Sequence, residues 1–506
     1  MSATTAVSHP DTTRLPSQPC ELGERASYSI NVTGASDVQA GLKFARDHNV
    51  RLVTRSTGID YMGKSTGKGS LALWMYHLKT IDIIHRYRSA SFTGPAVRLG
   101  SGVIAGEAYE VVSTAGYRIV APECGLTGIV GGYLQGGGHS QLTTAYGMGA
   151  DQVLEWELVT PKGEYLIATP ERHADLYWAL AGGGGGTYGV VLSATVAAYP
   201  DGPVAGGSMV FENTNATAYW EAVGIWYGLG PSFVRDGPNN VQFLVTNASL
   251  AVFAFTLPGQ SASAIEGLLA PFLPELEKRG LPYSLSLADH AGYVDSLDAA
   301  YGDLPYGSLC PEYPVISSRL IPRATVLNET SNARLMDVFR EITADGTWFV
   351  GCSFIDAADH EDHDDHDDQN GGGGCCSSPK IRPQHPPNAV HPAWRSAVAY
   401  CNPNRPWDWR DPEGSLAAKD RLVGQYFPAM EAATPDSGVY LNEMDPLYRG
   451  DWKDAMYGEN YGRLLRIKHA HDPDVMMYAR FAVGSDEFTI DDEGRLCRVE
   501  AAMPSC

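Results

Sequence analysis

The stretch from Val120 to Tyr199 constrains the chain most. It carries Gly128, Gly131, Gly132 and Gly136-Gly137-Gly138-His139, then a run from Gly182 to Gly186 followed by Gly189. Glycines set between apolar runs let backbone approach a large flat or charged group, because no Cβ stands in the way. Clustered backbone N–H groups also bind anions, so a cofactor carrying phosphates is the natural candidate. Gly184 to Gly189 satisfies G-x-G-x-x-G, but the dinucleotide fingerprint needs strand, glycine turn and then helix. Here Asp175 to Ala181 reads as a helix before the glycines, and Val190 to Ala197 alternates like a strand after them. The order is reversed and no Walker lysine follows. A nucleotide, if one binds, is held in another way.

Three more blocks stand out. Arg51 to Gly67 contains a Ser/Thr/Gly loop, Ala150 to Thr160 is an apolar strand after the glycine triplet, and Tyr440-Leu-Asn-Glu-Met-Asp445 is followed by Asn460 to Lys468 and Asp472-Pro473. With the glycine stretch, these blocks resemble the vanillyl-alcohol-oxidase/berberine-bridge-enzyme superfamily, whose flavin domain is of the PCMH type. Within it the chain is similar to the fungal isoamyl-alcohol-oxidase-like FAD-linked oxidases. The resemblance runs from about residue 24 to 485. It implies an α+β fold: a PCMH-type FAD-binding domain of two α/β subdomains, plus an antiparallel-sheet substrate domain backed by helices.

The cofactor implied is FAD. By resemblance, Arg55, Ser56, Thr57, Gly58, Ile59, Asp60, Gly63 and Ser65 form the first pyrophosphate loop. Cys124, Thr127, Gly128, Gly131, Gly132, Gly136, Gly137 and Gly138 form the second, with Tyr146, Asp151, Gly189 and Val190 completing the cofactor set. Most relatives carry, in the first loop, a histidine that bonds the flavin 8α-methyl. Here that position is Ile59, which has no nucleophile, so this linkage is chemically excluded. Cys124 falls where bicovalent members bond flavin C6. A thiolate there is a competent nucleophile, whereas a buried free thiol is simply a small hydrophobe, and non-covalent FAD is the slightly favoured alternative. Thr127 stands three residues after the cysteine, where relatives admit dioxygen with valine and block it with leucine; its shape is close to valine.

The resemblance also gives the reactive residues. Many members place a tyrosine base two residues before the aspartate of the C-terminal strand, and here Glu443 occupies that position. A glutamate serves as general base if burial raises its pKa, and as a structural ion-pair partner otherwise. Tyr440 is the alternative base, and Asn442 is expected beside the flavin.

Composition bounds the rest. A chain of 506 residues, 44% hydrophobic, suffices for several domains, and a net charge of −22 argues against nucleic acid or an anionic membrane as partner. No apolar run reaches the ~18 residues of a membrane span. Nine cysteines are too few for a disulfide scaffold and leave an odd one. Sequons at Asn31, Asn215, Asn247 and Asn328 fit a secreted glycoprotein, yet Met1 to Pro10 has neither basic nor apolar signal regions. An intracellular chain and an N-terminally truncated secreted one are both consistent. The expected partners are a small-molecule substrate and dioxygen, with the chain a monomer or weak homo-oligomer.

Taken in order, residues 1–23 read as an irregular arm and 24–200 as the flavin domain, ending at Tyr199-Pro-Asp-Gly-Pro203. Its first helix, Ser36 to Arg46, begins at a serine cap, and its second, Ile104 to Ala115, ends at Gly116. Residues 201–437 alternate strands with helices and form the substrate domain. Within it, 359–378 holds His360, His363 and His366 among aspartates, a composition that predicts a solvated disordered loop rather than a metal site, and no metal is expected. Residues 438–506 return to the cofactor, with one helix over Tyr457 to Lys468 and His469 and His471 on its surface. The function expected is an FAD-dependent oxidase that takes a hydride from an alcohol or similar C–H and gives hydrogen peroxide. The alternative is an FAD-containing non-redox cyclase or cycloaddition catalyst, both in fungal secondary metabolism.

Overall fold

A computed structural model describes residues 22–235, 237–304, 314–358, 385–491, 494–499 and 504–505. Most of the expected N-terminal arm and the acidic insert at 359–378 lie outside the described residues. Three sheets carry the architecture. The first is parallel, with Leu71–Trp74 between Tyr28–Asn31 and Leu52–Arg55. The helix Ala35–Asp47 covers it because Val38, Leu42 and Ala45 recur at helical spacing and are all buried. A Cβ on Gly41 would meet Leu73 at 2.6 Å, so glycine sets how closely helix and strand approach. The expected serine cap is corrected. Gly34 is the capping residue, and Asp37 reaches back to accept from the Thr33 N–H and hydroxyl at 2.8 and 2.7 Å.

The second sheet is antiparallel, ordered Ile81–Arg88, Thr93–Gly100, Val190–Ala197, Val153–Val159, Tyr165–Ala168. Its central strand, Val190–Ala197, is buried at every position rather than on alternate ones. A strand covered on both faces reads as a continuous run instead of an alternation. The helix Ala105–Thr114 and the short π-helical turn Ile129–Tyr133 are buried against this half of the molecule.

The third sheet is antiparallel with eight strands, running Tyr283–His290, Val204–Glu212, Ser249–Pro258, Asn240–Val245, Phe349–Phe354, Ala397–Pro406, Pro314–Ile316, with Arg319–Pro322 also on Ala397–Pro406. The helices Ala216–Arg235 and Glu329–Thr343 back it, around a core that includes Trp226, Tyr227, Phe243 and Phe354. The second helix starts where the Asn328 side chain accepts from the N–H groups of Thr330 and Ser331. Cys352 and Cys401 face each other across neighbouring strands and form a disulfide.

The C-terminal segment packs into the core of the glycine-rich half, where Leu441, Tyr457 and Leu464 join Tyr188, Val130 and Leu134. The helix expected over Tyr457 to Lys468 begins later, at Tyr461, and runs to His471. Trp452–Tyr457 and Tyr461–His471 are separate helices joined at Gly458, whose φ of +55° and closeness to the His391 ring admit no ordinary side chain. Lys468 is fully buried, donating to the Thr187 and Met477 carbonyls and to Asp472. His469 and His471 sit at the surface beside Glu487 and Asp175. Among the described residues no helix is long and apolar enough to cross a membrane.

Candidate active site

The strand Leu52–Arg55 runs directly into the first loop. Asp60 organises that loop, accepting from the N–H groups of Met62 and Ser65 at 3.1 and 2.6 Å and from the Ser65 hydroxyl at 2.8 Å. Gly58 and Gly63 have φ of +85° and +71°, which lets the backbone turn around that carboxylate. Ser56 donates to the Ser101 carbonyl at 2.6 Å and lies under the second loop, where a Cβ on Gly128 would come within 2.7 Å of its hydroxyl. A Cβ on Gly185 would lie 3.4 Å from Gly132 Cα, and one on Gly186 would meet Thr54 at 2.9 Å. Three glycine-bearing stretches therefore converge, while the Cβ position of Gly132 itself meets nothing within 4 Å.

Two buried cationic nitrogens lie here without a hydrogen bond. Lys64 Nζ and Arg55 Nε are buried and make no hydrogen bond. Burial pushes the Lys64 amine down to about 8, against the opposing pull of Asp60. An amine left in this state is costly unless an anion meets it.

Beyond the glycines the C-terminal segment closes over the loop. Asn442 donates to the Gly132 carbonyl at 2.9 Å and to the Tyr440 hydroxyl at 2.8 Å. A Cβ on Gly136 would fall 2.3 Å from that amide, so only glycine lets the two segments meet. His139, directly after the triplet, points its Nε2 toward Glu443 Oε1 at 3.8 Å. Its ring is packed by Tyr400, Tyr440 and Trp394, at centroid distances of 4.6, 5.0 and 6.0 Å. Tyr61, from the first loop, feels both Glu443 and Tyr440, and burial holds its phenol well above the ordinary range. Burial does the same to Tyr440. Burial opposes charge on His139, but Glu443 and Glu123 outweigh it and raise its pKa above the usual histidine value.

Residues 26–169 match the family described as FAD binding domain, and residues 439–479 match the family described as berberine and berberine like. A bifunctional decalin synthase of Penicillium decumbens is 46% identical over 96% of this chain and 81% of its own length. A VAO-type flavoprotein oxidase of Thermothelomyces thermophilus is 45% identical over 96% and 80%. The chain belongs to the VAO/BBE superfamily. It is an FAD-dependent oxidoreductase. The crystal structure of a VAO-type flavoprotein from Myceliophthora thermophila C1 superposes with a TM-score of 0.87 at 44% identity, covering 96% of this chain and 84% of that one. A glucooligosaccharide oxidase from Acremonium strictum shares the fold at 16% identity, with a TM-score of 0.71 over 91% of each chain.

The residues fit the flavin dinucleotide of this superfamily. The Gly132 opening would admit it, the orphaned Lys64 and Arg55 nitrogens would meet its pyrophosphate, and the backbone around Gly128–Gly132 would lie against it. Of the residues the sequence assigns to the cofactor, those of 55–65 and 127–138 cluster at these converging loops. Thr127 is fixed between the Cys124 carbonyl and the Ala105 N–H.

Others are placed differently. Tyr146 stacks on Tyr199 at 3.8 Å. Asp151 is a structural anchor: its oxygens accept from Arg395 at 2.7 and 2.9 Å, from Asn388 and from the Met148 N–H. Gly189 packs against Leu158 and Val159, and Val190 lies in the core beneath the first sheet. Cys124 is disulfide-bonded. Its sulfur is therefore neither a free buried thiol nor a thiolate, and attack on flavin would first require that bond to break.

Sequence reading passed over His139, Glu123, Tyr61, Lys64 and Tyr400. Their neighbours carried the signal for four of them. His139 ends the glycine triplet, Glu123 precedes Cys124, and Tyr61 and Lys64 lie within the first loop. Tyr400 has no local signal, because only the Ala397–Pro406 strand brings it here. Among the described residues no group of His, Cys, Asp and Glu could hold a metal, and the His360–His366 insert lies outside them.

Proposed function

We propose that this flavoprotein is an oxidase that removes two electrons and two protons from an alcohol of a small fungal secondary metabolite. One hydrogen leaves as hydride from carbon, the other as a proton from oxygen, and dioxygen takes both electrons to give hydrogen peroxide. Bound FAD would supply the hydride acceptor. The observation that carries the reading is Glu443 Oε1 at 3.8 Å from His139 Nε2, with Tyr61 and Tyr440 beside the pair.

In this reading Glu443 takes the substrate hydroxyl proton. His139 holds the carboxylate in place, and Asn442 ties the segment carrying Glu443 to the cofactor loop through the Gly132 carbonyl. Tyr440, donated to by Asn442, is a hydroxyl neighbour whose high pKa disfavours it as a base. Lys64 and Arg55 would hold the pyrophosphate. We also place the FAD as dissociable, because Ile59 lacks a nucleophile and Cys124 is in a disulfide.

A peroxide assay across primary, allylic and benzylic alcohols tests this reading. Turnover-linked peroxide that Glu443→Gln abolishes supports it. Peroxide formation unaffected by that substitution removes Glu443 from the mechanism.

A second reading is favoured by the 46% identity to a decalin synthase. In it the same site, with its packed Trp394, Tyr400 and Tyr440 rings, catalyses a ring closure without net oxidation. Product formed without oxygen uptake distinguishes it.

A further inference from the structure

Tyr440, Asn442 and Glu443 sit on one tight turn, and the residue that frames this turn comes from elsewhere in the chain. The turn is closed by the Glu443 N–H, which donates to the Tyr440 carbonyl at 3.0 Å. Its first residue carries the phenol, its third the amide that reaches the Gly132 carbonyl, and its last the carboxylate facing His139. A turn this short has no ladder of its own. Its shape therefore depends on what holds its two ends.

Ser318 holds both. It lies between the strands Pro314–Ile316 and Arg319–Pro322 of the eight-stranded sheet, with 0% of its surface exposed. Its hydroxyl accepts from the Tyr440 N–H at 3.0 Å and donates to the Tyr440 carbonyl at 3.2 Å. Its own N–H donates to the Glu443 carbonyl at 2.8 Å. Neighbouring bonds extend the seam. Ser317 Oγ accepts from the Asp445 N–H at 3.1 Å, and the Leu320 N–H donates to the Gly438 carbonyl at 3.0 Å. Both strands that flank Ser318 pair with Ala397–Pro406, which carries Tyr400 against the His139 ring. One edge of the sheet thus fixes the turn and part of the wall around it.

We propose that Ser318 is a positioning residue, whose hydroxyl fixes the turn that aims Glu443 at the substrate. This rests on the reading of Glu443 as base. The single hydroxyl proton is committed to the Tyr440 carbonyl, so Ser318 transfers none and acts through Glu443. Removing the hydroxyl leaves the backbone bonds from Ser318 and Leu320 in place. The segment then stays docked while the Tyr440 end of the turn is freed.

The test is the limiting rate of anaerobic flavin bleaching by an alcohol found in the peroxide assay. It compares the unsubstituted holoprotein, Ser318→Ala, Glu443→Gln and the double variant. Ser318→Ala is expected to lower the rate by about 10- to 100-fold, the scale of a small misplacement of a reacting group, with FAD content unchanged. In the Glu443→Gln background the same change is expected to cost no more than about twofold, because a residue acting through Glu443 has little left to lose. Full rate in Ser318→Ala beside a slow Glu443→Gln overturns the proposal. An equal fold loss in both backgrounds also overturns it, since a purely structural role behaves in that way. Full rate in Glu443→Gln instead removes the base reading, and this proposal with it. If Ser318→Ala does not retain FAD, or no alcohol bleaches the flavin, amide exchange decides. The Tyr440 and Glu443 N–H groups of the unsubstituted holoprotein are expected to exchange slowly, and exchange as fast as an open loop overturns the proposal.

Discussion

His139 Nε2 stands 3.8 Å from Glu443 Oε1, although 304 positions separate the two in the chain. The second glycine loop supplies one partner and the C-terminal segment the other. Asn442, donating at 2.9 Å to the Gly132 carbonyl, fixes the distance between those segments. The pair exists only when the second glycine loop and the C-terminal segment are docked.

Removing the carboxylate isolates its chemical role. Glu443→Gln keeps the shape and is expected to lower kcat/KM by about 10²–10⁴-fold, the usual range for loss of a general base. FAD content, read from the visible spectrum, is expected to stay that of the unsubstituted protein, because Glu443 lies outside the loops assigned to the dinucleotide.

The Gly136–Asn442 contact gives a second prediction. In Gly136→Ala the new methyl group would lie 2.3–2.6 Å from the Asn442 amide, and the segments must separate. Overpacking of this kind costs about 1–3 kcal/mol, and weaker FAD binding in a fluorescence titration accompanies it. Replacing Asn442 by glycine in the same protein is expected to return part of the stability, a coupling that a double-mutant cycle measures.

Ile59 is 43% exposed on the first loop, and by resemblance it stands where most relatives carry the linking histidine. After acid precipitation of the unsubstituted protein the yellow colour is expected in the supernatant. In Ile59→His a fraction is expected to stay with the pellet. Colour retained by the unsubstituted pellet contradicts dissociable FAD, and its loss in Cys124→Ala would point to the sulfur.

Acid sensitivity follows from Asp151. Burial pushes its carboxyl up, but Arg395, with help from His385 and Asn388, outweighs burial and holds it well below the usual carboxylate range. The folded pKa thus lies below the unfolded value of about 3.9. The stabilisation is complete above that value and is lost as pH falls through the folded one. Denaturation of Asp151→Asn between neutral pH and about pH 3 should show a shallower decline than the unsubstituted protein. Arg395→Met, which strands the buried carboxylate, is expected to cost about 3–5 kcal/mol at neutral pH.

Much of this was legible in the sequence because glycine is irreplaceable where backbones touch. Gly128, Gly136 and Gly186 each stand where a Cβ would strike another segment, so their density marked the cofactor site before any geometry was known. The Ala35–Asp47 helix was legible from periodicity, and so were three strands of the eight-stranded sheet, Val204–Glu212, Asn240–Val245 and Ser249–Pro258. What periodicity could not convey is who meets whom. The break at Gly458 depends on His391, and the aromatic wall around His139 is assembled from Trp394, Tyr400 and Tyr440. Asp151 was assigned to the cofactor by the resemblance of its block to the family, and its partner Arg395 lies in a different part of the chain. Position alone left Cys124 open between a linking thiolate and a buried free thiol, and in the fold it is neither, because it is disulfide-bonded.

The most direct test is anaerobic mixing of the holoprotein with an alcohol found by the peroxide assay, followed by admission of air. The visible absorbance of the flavin is expected to bleach without oxygen and recover on aeration with one peroxide released per flavin, and Glu443→Gln should bleach far more slowly. Product formed with no bleaching would contradict the oxidase account and establish the site as a non-redox catalyst.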